Sequence, residues 1–250
     1  MRWRVFYRIA MFKPEDLFDL SQTEHAAIFD GCDYAWEALK RIKAYIEAHL
    51  KPGLHNKCEG VAYIGEKVFI GEGTVLEDGV MIKGPAIIGR NCHIRHNAYL
   101  RENVILSDHC VVGNSTELKN SLMFNHSGAP HFNYVGDSIL GFKTHIGAGV
   151  VLSNLKSLPG NVTVEMDGKP FDTGLRKFGA ILGDGCDIGC NSALNPGSIV
   201  GRGSVIYPGR AVFACRPINF LMASEVWPLA LASRSLPSRM STTMAPAVSK

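Results

Sequence analysis

The chain has 250 residues, 46% of them hydrophobic, and a formal net charge of +3 at neutral pH. That length can bury a sizeable core and fits one domain with attachments, while so small a charge gives no ground for a nucleic-acid or membrane partner. Seven cysteines, an odd number without framework spacing, point to a reducing compartment, and no apolar run is long enough to span a bilayer.

The opening "MRWRVFYRIAMF" threads arginines through its apolar residues, which is not the pattern of a signal peptide, so the expected location is cytoplasmic. Further on, "DYAWEALKRIKAYIEAHLKPG" predicts one helix. Asp33 can cap it, Ala35, Leu39, Ile42 and Ile46 form an apolar stripe, and Pro52-Gly53 ends it. Residues 1–58 thus read as an N-terminal helical segment. Its stripe is expected to cap the open end of the repeat region beyond residue 58, because terminal repeats need covers.

From Ile64 an aliphatic residue recurs every sixth position: Ile70, Leu76, Ile82, Ile88, Ile94, Leu100, Leu106, Val112 and Leu118. Four residues after each comes a small or short β-branched residue, a slot in which Cys92, Cys110 and Cys186 read as core fillers. The pattern returns at Leu140, Ile146 and Leu152, and again from Leu182 to Ile206. Fixed-period self-similarity marks a solenoid. A period of six fits neither a helix nor an alternating strand, but it does fit a short strand plus a turn. Three such units close a triangular coil of about eighteen residues. Glycines just after the aliphatic, such as Gly65, Gly113 and Gly189, are expected at corners that need a positive φ.

Two stretches break the period. The first, "KNSLMFNHSGAPHFNYVGDSILG", is expected to push a loop carrying His131 out of the prism. The second, between Asn154 and Lys177, contains "VTVEMDGKPF", which alternates about Asp167-Gly168 and predicts an ejected hairpin lying beside the same site. After Pro217 the composition turns to Ser, Ala, Met and Pro, and residues 214–250 are expected to be a poorly structured tail.

The residues from "LRENVILSDHCVVGNSTELKN" through "HFNYVGD", "IGAGV" and "LRKFGAILGDGCDIG" resemble the hexapeptide-repeat transferases. They are most similar to the acetyltransferase domain of bifunctional N-acetylglucosamine-1-phosphate uridyltransferases and their archaeal counterparts. The likeness spans about residues 59–213. It implies an all-β chain folded as a left-handed parallel β-helix, with an N-terminal helical cap and the ejected hairpin. It also implies a homotrimer with sites between subunits, and transfer of an acetyl group from acetyl-CoA to the amine of an amino-sugar 1-phosphate, glucosamine 1-phosphate foremost, in nucleotide-sugar biosynthesis. The first 60 residues have no Gly-rich nucleotide-binding start, so uridylyl transfer is not expected.

By this resemblance His131 is the general base, since an ammonium cannot attack a thioester until it loses a proton. Arg101 and Lys119 match the phosphate-binding positions; they lie eighteen residues apart, one coil, and should stack on one face. Tyr134 would pack on the sugar, Asn154 would orient substrate or thioester, and Lys177 would add a basic group beside it. Ala148, Cys190 and Pro208, with Asn154, align with acetyl-CoA contacts that are mostly backbone. His145 stands where bacterial relatives carry a sugar-contacting asparagine, a departure that bears on which sugar is accepted. None of these roles calls for a metal.

Two other readings remain open. His126 and His131, with His93 or His96 upstream, have the spacing of a γ-class carbonic anhydrase, whose zinc lies across a trimer interface. The chain could instead be a non-catalytic sugar-phosphate-binding or assembly domain related to sugar nucleotidyltransferases.

Overall fold

The structure, a computed structural model, describes residues 12–166, 169–213 and 221–222. Within them the chain winds through three parallel sheets, here called faces A, B and C, visiting them in turn. Each strand pairs with the strand one coil away, as when Val68–Ile70 meets Ala86–Ile88 and Ala86–Ile88 meets Val104–Leu106 on face A. The parallel β-helix expected from the repeat is the fold found. Its interior is filled by the six-step aliphatics, from Ile70 to Leu118 and from Leu140 to Val212, each essentially inaccessible to solvent.

The interior row does not lapse where the sequence does. Met123, Ala129 and Val135 continue it, fully buried. The period is lost because the steps Leu118 to Met123 and Val135 to Leu140 take five residues rather than six. Registers change accordingly, from Ala86↔Val104 to Val104↔Ser121 and Leu122↔Ile139, so these coils have seventeen residues. Asn120 (φ 45°) and Asp137 (φ 48°) occupy the two shortened corners between faces C and A. Asn and Asp tolerate this left-handed conformation, which the six-residue corners also use at Asn91 and Asn103. His131 is therefore not on an ejected loop. It ends the strand Gly128–His131, whose residues pair with Val111–Asn114.

The glycines after the aliphatics also differ in role from expectation. None of Gly65, Gly113 or Gly189 is among the positive-φ residues. They are needed for close packing between coils: a Cβ on Gly113 would fall 1.4 Å from the Pro130 carbonyl oxygen. The left-handed corner positions are held instead by residues two places on, such as Gly73, Asn91 and Gly149.

Face A carries an outward row of Ile87, Ile105, Leu122, Ile139, Ile181 and Ile199, so its strands are apolar on both sides. The N-terminal segment lies over that row. Its helix Ala38–His49 presents Leu39, Ile42 and Ile46, with Trp36, Phe18 and Phe29 alongside, to one continuous core. The helical segment thus covers a broad side face rather than an open end, because the larger unpaired apolar surface is there. Asp33 is not its cap; the Glu37 carboxylate accepts the Asp33 N–H at 2.9 Å, and a short 3-10 turn, Ala35–Glu37, leads into the helix. The expected hairpin is present as Thr163–Met166 paired with Lys169–Asp172. It folds back onto the N-terminal layer, with Val162 and Val164 buried and Lys40 donating to the Thr173 carbonyl at 3.1 Å.

Strands Gly53–Leu54 and Lys57–Cys58 already join faces A and B, ahead of residue 59. Leu221–Met222, inside the segment expected to be tail, adds a strand to face B. The rest of residues 214–250 lies outside the described residues.

Candidate active site

Apart from His145, the candidate residues fall on face C and its two edges. At the edge between faces B and C, consecutive coils bring His131, Ala148, Cys190 and Pro208 into one column. Backbone hydrogen bonds tie the column together: Gly149 N–H to His131 O at 3.0 Å, Asn191 N–H to Ala148 O and Gly209 N–H to Cys190 O at 2.8 Å each. Coils rise about 4.8 Å apiece, so the column runs roughly 15 Å along the helix axis.

His131 is held at this edge by its backbone. Its N–H donates to Asn133 Oδ1 at 3.1 Å. Asn133 is buried, and its amide donates to the Gly147 carbonyl at 2.7 Å. Pro130 passes so close over Gly113 that no side chain fits there. The His131 imidazole itself is exposed and has no recorded side-chain partner among the described residues. Phe132 follows it with φ 50° and is 63% exposed, an apolar ring standing in solvent next to the base candidate.

At the opposite edge, between C and A, the two shortened corners stack Asn120 and Asp137, with Asn154 one coil further on. Asp137 is 5% exposed. It accepts from Asn120 Nδ2 at 2.9 Å and from Asn154 Nδ2 at 2.6 Å. Asn154 also reaches the Tyr134 hydroxyl at 3.2 Å. A Cβ on Gly136 would lie 2.6 Å from that hydroxyl, so the glycine makes room for the Tyr134–Asn154 contact. Burial first, then the charges of Glu117 and Asp137, push the Tyr134 phenol above its ordinary value, and it stays neutral well past pH 7.

Arg101 and Lys119 stack on consecutive coils as expected. Neither is free. Arg101 Nη1 donates to Glu117 at 2.9 Å and its Nε lies 3.5 Å from Glu102. Lys119 Nζ is 3.7 Å from Glu102 and 4.0 Å from Asp137. The bond to Glu117 raises the Arg101 pKa further. For Glu102 burial opposes ionisation, but its backbone N–H and the neighbouring Arg101, Lys119 and Lys83 outweigh burial and hold the carboxyl below its usual range.

The structure thus brings Arg101, Lys119, Tyr134 and Asn154 together. His131 stands across the face from them, with the bend at Phe132 and the strand Tyr134–Gly136, whose Gly136 is the register partner of Lys119, lying between. Lys177 is exposed beside this corner, where Phe178 N–H bonds the Asn154 carbonyl at 2.9 Å. His145 is outside the cluster, on face B, where its Nδ1 pairs with Asp187 at 3.2 Å. His126 sits at the A–B edge, stacked on His109 with ring centroids 4.6 Å apart, so it and His131 point to different edges of face B. His93 is paired with Glu77 at 2.6 Å, and His96 bonds the Asp78 carbonyl. The zinc spacing read from these histidines does not gather into one cluster within the chain. A cleft of about 560 Å³ opens near Glu24, His55, Arg90 and Asp108, and the candidate residues do not line it.

Sequence reasoning missed Asn133, Glu117, Asn120 and Asp137. A signal for the last two was available: Asn120, Asp137 and Asn154 recur at a spacing of seventeen, the length of the shortened coils.

Residues 82–168 match the family model described as GMPPB C-terminal domain. A bifunctional sugar-1-phosphate nucleotidylyltransferase/acetyltransferase from Sulfurisphaera tokodaii is 38% identical over 100 residues, which are 40% of this chain and 25% of that protein. A bifunctional protein GlmU from Methanococcus maripaludis is 39% identical over 94 residues, 38% of this chain and 23% of that protein. The chain therefore spans about a quarter of the length of the curated relatives it matches. Among solved structures, a variant of GDP-perosamine N-acetyl transferase from Caulobacter crescentus, in complex with CoA and GDP-perosamine, aligns over 74% of this chain and 60% of its own, at 17% identity and a TM-score of 0.23. The relatives are of the class that the motifs resemble.

Proposed function

We propose that the chain transfers an acetyl group from acetyl-CoA to the amine of an amino-sugar 1-phosphate, glucosamine 1-phosphate foremost, at sites shared between three copies. The observation that carries this reading is the arrangement around face C. One edge offers a straight column, Pro208, Cys190, Ala148 and His131, and the other a polar cluster around Arg101, Lys119, Tyr134 and Asn154. A linear thioester laid along the column would end with its acetyl carbon beside His131. A sugar on Tyr134 would point its phosphate to the basic pair and its amine back toward the histidine.

In that pose His131 takes a proton from the ammonium. The amine forms the new C–N bond at the thioester carbonyl, the C–S bond breaks, the proton passes from His131 to the departing thiolate, and the second proton of the nitrogen is released to solvent. Asn133 keeps the backbone of the base in place, and Lys177 and Asn154 close the corner. The outward row of face C includes exposed Tyr63, Met81 and Val151, and Phe132 is exposed at its edge. Neighbouring copies of the chain would cover this apolar surface and turn an open face into a pocket. Among the described residues no helix is long and apolar enough to cross a membrane, and a cytoplasmic location suits the coenzyme.

The test is direct. The protein is incubated with acetyl-CoA and a panel of amino-sugar 1-phosphates, and free thiol is followed. Thiol release that depends on the sugar phosphate supports the reading. Saturable binding of the sugar phosphate without thiol release favours the non-catalytic binding domain, a reading to which the carboxylates already on Arg101 and Lys119 lend weight.

A further inference from the structure

We infer that Glu117 is an internal occupant of the anion site, a carboxylate that holds the Arg101 guanidinium until a sugar phosphate displaces it, and so a specificity-determining residue. This rests on the substrate class proposed above. Arg101, Lys119 and the nearby Lys83 supply three positive charges, and Glu102, Glu117 and Asp137 supply three negative ones, with four ion pairs of 4.0 Å or less among them. A phosphate meeting this set as it stands would face a cluster with no net positive charge.

The three carboxylates are not held alike. Asp137 is buried and fixed by two amides, Asn120 at 2.9 Å and Asn154 at 2.6 Å. Glu117 and Glu102 have side chains 35% and 39% exposed. Their recorded side-chain partners among the described residues are the two cations. Glu117's register neighbours along face C are Tyr99 and Tyr134, neither of them a cation. When Glu117 and Glu102 swing into solvent, Arg101, Lys119, Lys83 and Asp137 remain, and the cluster turns from neutral to net positive. Arg101 then regains the Nη1 donor now given to Glu117. Its Nε is already buried without a hydrogen bond, since Glu102 lies close but poorly aligned. A phosphate dianion, which can take several charge-assisted bonds at once, has the means to displace a single carboxylate. A neutral sugar does not, and leaves Glu117 in place.

Calorimetric titration of glucosamine 1-phosphate and of glucose, a neutral sugar, into the wild type, Glu117→Gln and Glu102→Gln tests the inference, with melting curves confirming that each variant is folded. Gln keeps the size of the side chain and removes its charge. Glu117→Gln should bind the phosphate ester about fivefold more tightly, the upper range for a partly exposed ion pair, with glucose unaffected. Glu102→Gln removes the same charge without freeing a hydrogen-bond donor, so its gain should be smaller. If Glu117→Gln binds the phosphate ester no better than wild type, the inference is overturned while the substrate class stands. Equal gains from the two variants would also overturn it, leaving net charge as the cause. If neither wild type nor variants bind the phosphate ester, the substrate class fails and the inference with it.

Discussion

Asn154 donates to the buried carboxylate of Asp137 at 2.6 Å from one coil further along, and the same amide reaches the Tyr134 hydroxyl at 3.2 Å. One side chain thus links the shortened corner to the proposed sugar platform. Replacing Asn154 by Ala leaves a buried carboxylate short of a donor, which costs about 1–3 kcal/mol. Denaturant unfolding should show that loss. The sugar-phosphate KM should rise as well, because Tyr134 loses its tether; an unchanged KM would confine Asn154 to a structural role.

The Pro130–Gly113 contact predicts an effect at a distance. A Cβ on Gly113 would meet the Pro130 carbonyl oxygen at 1.4 Å, so Gly113→Ala must displace the backbone that carries His131. A misplacement of about 1 Å can cost roughly 10²-fold in rate. Steady-state kinetics should therefore show kcat falling by at least about tenfold with substrate affinity less affected.

The hairpin is part of the N-terminal layer rather than a free flap. Val164 is buried beside the aromatic cluster that includes Trp36 and Phe178. Val164→Ala should destabilise the protein by about 1–2 kcal/mol. Hydrogen exchange should quicken in the helix Ala38–His49, and amides on face C should keep their protection.

How legible was this in the sequence? The six-residue aliphatic row specified the coil, because an interior position that admits only apolar side chains leaves its mark at every turn. The helix stripe was legible too, but not its destination. That depended on Ile87, Ile105, Leu122, Ile139, Ile181 and Ile199, which sit beside the repeat's own aliphatics and merge with them into apolar triplets. Such triplets mark strands buried on both sides. The apparent lapse after Leu118 was a change of step from six to five, which any fixed-period reading misses. For the site, stacking of Arg101 on Lys119 followed from coil length. Their pairing with Glu102, Glu117 and Asp137 depends on side-chain directions at the corners, and spacing alone does not give these.

Acidification should loosen the N-terminal layer. Burial first, then the charge of His49, lowers the His25 pKa from 6.5 to about 4, while its Nδ1 lies 3.2 Å from the Tyr45 hydroxyl. The unfolded chain takes up this proton near pH 6.5 and the folded chain only near 4, so between those values the unfolded state binds more protons. Stability should therefore fall as pH drops through that window. His25→Gln should flatten this part of the profile in thermal melts; an unaltered slope would place the pH dependence elsewhere.

Assembly is a separate expectation. Sedimentation should give a mass about three times 27.2 kDa. Val151→Arg places a charge on the exposed apolar row of face C and should shift the protein toward monomer, with loss of activity. A wild-type monomer at micromolar concentration would remove the shared site.

The central claim is that His131 is the general base, and kinetics of His131→Ala beside Arg101→Ala tests it most directly. With acetyl-CoA and glucosamine 1-phosphate, His131→Ala should lower kcat by about 10²–10⁴-fold with little change in the sugar-phosphate KM. Arg101→Ala should act mainly by raising that KM. Retention by His131→Ala of more than about a tenth of the wild-type kcat, against the 10²-fold minimum for a general base, would contradict the assignment.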